Sequence, residues 1–154
     1  MENYDSTADT LLHIKRVSYH LSQAAIEILR RGSVHDDSKL TTPEKEAFDK
    51  ETPKLKGIGF GTKEYYESLA NLQEALDHHY KFNSHHPQHY PNGINGMDLF
   101  DVLEMTMDWL AAVERTKDGD IAKSLEINKR RFNMSDQLVD IIANTYRNYG
   151  HQGN

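Results

Sequence analysis

The sequence predicts an all-α chain, and three observations carry that prediction. Apolar residues recur at three- and four-residue steps through long stretches. No stretch alternates apolar and polar residues as a half-buried strand would, and clusters of glycine and proline fall between the periodic stretches. With 154 residues and 37% hydrophobic content, the chain suits one helical domain over 1–154, a bundle of about five to seven helices. Its core is expected at about 7–132, with a C-terminal helix at about 135–148.

Taken in order, Ser6 and Asp9 form a capping-box-like start, with Asp where Glu is usual. From there Leu12, Val17, Leu21, Ala24, Ala25, Ile28 and Leu29 keep helical spacing to Arg31, and Gly32 supplies a stop. Thr42 and Pro43 read as N-cap and first residue of a short helix to about Lys50. "ETPKLKGIGFGT" reads as a loop. A long helix is predicted over about Lys63 to Phe82, with Leu69, Leu72, Leu76 and His79 on one stripe. "NSHHPQHYPNGING" is irregular, because its prolines and glycines interrupt a helix. Further helices are expected over about Met97–Arg115 and Ile121–Phe132, and a last one follows a Ser135 cap with Leu138, Ile141, Ile142 and Tyr146 as its buried face.

Composition excludes several function classes. A net charge of −6 argues against a protein that binds nucleic acid by neutralising phosphates. The absence of cysteine removes disulfides, thiolate nucleophiles and Cys-type zinc sites. No apolar run approaches a membrane span, and the polar start MENYDSTADT is unlike a signal peptide, so a cytoplasmic location is expected. A second copy of the chain is an expected partner; nucleic acid and membrane are not.

Nine histidines are the unusual count, and five of them fall within "HHYKFNSHHPQH". "VHDDSK" places His35 beside Asp36 directly after the first long helix. On that helix His13, Val17, His20 and Ala24 share a face. Histidines at such positions are more often packing residues than ligands. On the Met97–Arg115 helix Asp101, Glu104, Asp108, Ala111 and Arg115 form one stripe among mostly apolar neighbours. A buried carboxylate must be compensated by a metal, a cation or hydrogen bonds; the plain alternative is that the stripe faces solvent. His79 belongs to an inward stripe, whereas His85 and His86 follow the helix end where a loop can fold back, and His89 is the first candidate for a spectator. Imidazole with carboxylate suits Fe, Mn, Zn, Ni or Co, and an all-oxygen calcium site is a poor match. Lys39, three residues after Asp36, is placed to hold phosphate oxygens, although a lysine at a loop edge is by default a surface residue.

These residues resemble the HD superfamily of metal-dependent phosphohydrolases: His13, then His35-Asp36, then Asp108 inside a mostly apolar helix. "HDDSK" resembles that family's His-Asp-x-Gly/Ser-Lys segment and "MTMDWLAA" its closing Asp helix, over about residues 10 to 115. "HDDSKLTTPE", "ALDHHYKFNSHHPQHYPNG" and "EMTMDWLAAVERTKDGDI" look closer still to an uncharacterised group of short HD-like proteins of bacteria and their phages. The resemblance implies His13, His35, Asp36 and Asp108 as ligands of one divalent transition metal. A second ion would take His79 and either His85 or His86, with Asp36 bridging. The chain departs from the pattern in two places. The interval from His79 to the next histidines is short, and Lys39 stands where single-metal nucleotidases carry a catalytic Glu.

The reaction so implied is hydrolysis of a nucleotide or other small phosphate ester by metal-activated water. Lys39, with Arg16, Arg115 or His20, would hold the anionic substrate, and Glu104 or a loop histidine would move the proton. Asp37 is either a general base or a residue that steadies a ligand histidine. Two other classes remain open at this stage: a di-iron oxygenase built on the six-ligand version of the site, and a non-catalytic phage or host protein stabilised by metal.

Overall fold

The computed structural model describes residues 4–55, 63–115 and 118–149. Among them are seven α helices and three short 3-10 turns, with no strand, so the all-α expectation holds. The chain divides into two compact units, Met1–His35 and Asp36–Asn154.

The first unit is one helix, α1 (Thr7–Val34), about 42 Å long at roughly 1.5 Å per residue. Its start differs from the expected box: Ser6 makes no side-chain cap, and Asp5 accepts from the Thr7 N–H at 2.9 Å instead. The helix also runs through Gly32 to Val34. A glycine costs a helix about 1 kcal/mol, which can be absorbed by the preceding turn, where Glu27 bridges Arg30 at 2.7 Å and Arg31 at 2.9 Å. The Arg30 and Arg31 hydrogen bonds, in that order, hold the Glu27 carboxyl down at about 2. The helix ends at His35, whose backbone is extended (φ −54°, ψ 125°).

The second unit opens with a turn that the sequence does not announce. Asp36 sits in the left-handed region at φ 59°, where Asp is one of the few non-glycine residues tolerated, and a 3-10 turn over Asp37–Leu40 follows. α2 (Glu44–Leu55) begins after a cis Thr42–Pro43 bond and continues through Pro53, beyond the predicted end. In that last turn Lys54 Nζ lies 2.7 Å from Glu51 Oε1, and Glu51 is buried. The glycine-rich part of the predicted loop lies outside the described residues, as does the Leu69 side chain.

The predicted 63–82 helix is two helices, α3 (Lys63–Asn71) and α4 (Gln73–Phe82), interrupted at Leu72 alone. The interruption is a distortion rather than a stop, since Leu76 N–H still reaches the Leu72 carbonyl at 2.8 Å. α2, α3 and α4 pack on one another, and α2 and α4 both pack on the 3-10 turn that follows Asp36.

The irregular stretch holds 3-10 turns at Pro87–His89 and Gly93–Gly96. Close approach fixes Gly96 as glycine: a Cβ there would lie 2.3 Å from Asn92 Oδ1 and 2.7 Å from Tyr90 Cβ. α5 (Leu99–Glu114) starts on a true capping box, Asp98 accepting from Phe100 and Asp101 N–H while Asp101 accepts from the Asp98 N–H. α6 (Ile121–Arg131) is capped by Asp120, and α7 (Asp136–Tyr149) by Ser135 as expected, through the Leu138 N–H at 3.3 Å. Leu125, Met134 and Ile142 form a core for α5, α6 and α7, flanked by Val102, Trp109, Phe132 and Leu138. The Trp109 and Phe132 rings stack at 6.1 Å with 3° between their planes. No helix among the described residues is long and apolar enough to cross a membrane.

Candidate metal centre

The second unit buries an unusual set of polar side chains: Glu44, His79, His85 and Asp101 are each 2% exposed or less. Two of these, His79 and His85, lie against Asp36. His79 Nε2 lies 3.2 Å from Asp36 Oδ1, and His85 Nε2 lies 3.5 Å from the same oxygen. His86 completes the group, its Nε2 2.8 Å from His79 Nε2. Asp36, His79, His85 and His86 each present one donor atom within 4.8 Å of all the others.

Local structure explains the convergence. His79 sits in the last turn of α4 on the inward face that its stripe predicted. Asn83 then breaks the helix with an extended backbone, and its Nδ2 donates back to the His79 carbonyl at 2.8 Å. That reversal carries His85 and His86 back beside His79, with ring centroids 4.7 Å apart for His79–His86 and 4.2 Å for His85–His86. Asp36 reaches the group from the opposite side because its left-handed backbone turns the chain at that residue.

Each buried imidazole has a carboxylate on its far nitrogen. His79 Nδ1 lies 2.8 Å from Glu44 Oε2, and His85 Nδ1 lies 3.1 Å from Glu104 Oε1. Burial pushes the Glu44 carboxyl up, but hydrogen bonds from His78, Ser38 and His79 outweigh it and leave the pKa below its ordinary value. Burial, then the neighbouring His85 and His79 rings, push His86 down to about 3 against the pull of Asp108 and Asp36, so His86 is a neutral imidazole at neutral pH. Neutral imidazole is the form that binds a metal.

The donor set fits a divalent transition ion. Ligands at about 2.1 Å from a tetrahedral centre stand roughly 3.4 Å apart, and the separations here are 2.8, 3.2 and 3.5 Å. Three imidazoles and a carboxylate match zinc, iron, manganese, nickel or cobalt better than calcium.

The remaining predicted residues divide clearly. Asp108, half-buried on α5, offers an oxygen within 4.8 Å of one on Asp36. Lys39 Nζ is 2.6 Å from Asp36 Oδ2 and 5.8 Å from the Phe48 ring centre, at the rim of the cluster. Asp37 is exposed at the start of its turn, and Arg115 is exposed at the end of α5. His13, Arg16 and His20 lie exposed on α1 in the first unit, and His35 is that unit's half-buried last residue, joined directly to Asp36.

Sequence reasoning missed Glu44, Ser38 and Asn83. The available signal was weak: an acidic residue directly after Thr42-Pro43 reads as ordinary first-turn dipole chemistry. His78, left open by the sequence, is also seated, its Nδ1 2.7 Å from Glu44 Oε1.

A family model described as a family of unknown function (DUF5662) matches residues 2–148. No curated protein and no solved structure matches the chain.

Proposed function

This chain belongs to the DUF5662 family, whose function is unknown, and we propose from its own residues that it is a metal-dependent phosphohydrolase of small phosphate esters, nucleotides first. The carrying observation is the convergence of Asp36, His79, His85 and His86 on one point. The likeness of "HDDSK" and "MTMDWLAA" to HD phosphohydrolase segments supports the choice of reaction. A divalent ion held there supplies a water of lowered pKa and a Lewis-acid contact for a phosphoryl oxygen.

The chain's own residues do the rest. Asp36 uses its two oxygens differently: Oδ1 faces the histidines and Oδ2 holds Lys39. That pairing keeps an ammonium beside the metal position while leaving the lysine side chain 39% exposed, free to turn to a phosphate oxygen. Glu104 fixes the ring of His85, a positioning role in place of proton transfer. Asp37, exposed next to Asp36, is the carboxylate with access to an incoming water.

Elemental analysis of the purified protein, followed by a panel of nucleotides and phosphomonoesters with several divalent metals, tests this. Stoichiometric transition metal and turnover of a phosphate ester are expected. Asp36→Ala should lose both, whereas Lys39→Ala should keep its metal and lose about 10²–10³ in turnover, as when one oxyanion donor is removed. Full metal occupancy in Asp36→Ala would disprove the site. Wild-type turnover in Lys39→Ala would remove the phosphate role. Bound iron with oxygen uptake and no hydrolysis would favour oxygenase chemistry instead.

A further inference from the structure

Glu44 lies outside the ligand group, yet its carboxylate is completely shut off from solvent and spans two successive histidines. Oε1 meets His78 Nδ1 at 2.7 Å, and Oε2 meets His79 Nδ1 at 2.8 Å. Ser38 Oγ adds a third contact at 3.0 Å to Oε2.

The protons in this network can be placed by counting donors. Asn83 Nδ2 has two hydrogens and three neighbours in reach; the two shorter contacts take them, Ser38 Oγ at 2.8 Å and the His79 carbonyl at 2.8 Å, ahead of His79 Nδ1 at 3.1 Å. The Ser38 hydroxyl, having accepted from Asn83, donates to Glu44. An ionised Glu44 can only accept, so His78 and His79 must each carry a hydrogen on Nδ1. His79 Nε2, the atom that faces Asp36 and His86, is then the nitrogen left to offer its lone pair to an ion.

We propose that Glu44 is the positioning residue of the metal centre: it locks His79 in the Nδ1–H tautomer and so aims the Nε2 lone pair at the ion. The proposal rests on the metal reading above for its consequence, but the tautomer itself does not. It also separates the paired histidines by role. His79 is the ligand, and His78, partly exposed against the Phe82 ring at 4.6 Å, is the strut that fixes the other oxygen of Glu44. A carboxylate on the far nitrogen of a ligand histidine raises its basicity, and losing such a partner typically costs 10–100-fold in metal affinity.

Two measurements on the full chain test this. Long-range ¹H–¹⁵N spectra of the metal-free protein should show His79 protonated on Nδ1, the nitrogen that faces Glu44. Zinc affinity, measured by competition with a chelator, should fall about 10–100-fold in Glu44→Gln and by less than about threefold in His78→Gln. A His79 without a proton on Nδ1 in the wild-type protein overturns the proposal, as does a folded Glu44→Gln that binds zinc like wild type. If Glu44→Gln does not fold, the wild-type tautomer decides. If the wild-type protein binds no zinc, iron, manganese, nickel or cobalt, the phosphohydrolase reading fails while the tautomer assignment stands or falls on its own spectrum.

Discussion

Glu44 and Asp101 are both buried carboxylates in the second unit, 0% and 1% exposed, and they are compensated by different chemistry. Asp101 is closed: Oδ1 accepts from the Ser84 hydroxyl at 2.6 Å, and Oδ2 accepts from the Tyr90 hydroxyl at 2.6 Å and the Asp98 N–H at 3.0 Å. Hydroxyl and backbone donors end there, and the result is a knot that ties the loop after α4 to the start of α5. Glu44 is satisfied largely by imidazoles, and an imidazole that donates from one nitrogen offers a lone pair on the other. The same buried charge is therefore structural in one place and, on the proposal above, directs ligand chemistry in the other, according to what donates to it.

Breaking the knot should give the largest effect on stability. Asp101→Ala strands two hydroxyls and a backbone N–H at a site without bulk water, which costs about 2–4 kcal/mol. Denaturant midpoints should show it. Metal affinity should fall in proportion to that loss, because Ser84 immediately precedes His85. Glu44→Gln is expected to depart from that proportion, losing affinity out of scale with its stability. If both variants fell on one line relating stability to affinity, the two carboxylates would be doing the same job.

The acidic stripe on α5 shows how much of this was legible beforehand. Its three- and four-residue steps placed Asp101, Glu104 and Asp108 on one face, and the demand for compensating partners followed from their apolar neighbours. The partners themselves did not. Asp101 takes the Ser84 and Tyr90 hydroxyls and Glu104 takes His85, both brought there by the chain reversal after Asn83, while Asp108 lies within reach of Asp36, a second carboxylate. Periodicity reports which way a side chain points on its own helix and nothing about what stands opposite. Glu44 was illegible for that reason, while His79 was legible because Leu72 and Leu76 share its stripe. Helix ends failed for a related cause. Gly32 and Pro53 are poor helix residues by intrinsic propensity, yet α1 and α2 run through them, with the Glu27–Arg30 and Glu51–Lys54 pairs beside them. Leu72 interrupts the long helix with no glycine, proline or cap to announce it.

A gentler contrast comes from His89, in the same tract as the ligands. Its Nδ1 lies 2.8 Å from the Tyr80 carbonyl, so it caps a backbone group that α4 leaves open. His89→Ala should keep its metal and lose about 1 kcal/mol, the ordinary net worth of one such hydrogen bond. Elemental analysis beside a melting curve checks both halves. Loss of metal at unchanged helicity would add His89 to the centre and erase the distinction between ligand and cap.

The last effect lies at alkaline pH and concerns the closed knot alone. Burial and then the hydrogen bond to Asp101 push the Tyr90 hydroxyl up to about 12 from 10.0. The folded state thus keeps a proton that the unfolded chain surrenders first. The sign follows: this stabilisation is complete below pH 10 and disappears as pH rises from 10 toward 12. Tyr90→Phe lacks the proton in either state, so its stability deficit relative to wild type should be constant up to pH 10 and then shrink. Tyr146, also raised to about 12 by burial and the Asp108 charge, titrates in the same window in both proteins and cancels from the difference. Urea midpoints for the two proteins across that range supply the measurement. A deficit that stays level through pH 12 would mean that the Tyr90 proton is not held by Asp101, and the knot would lose one of its donors.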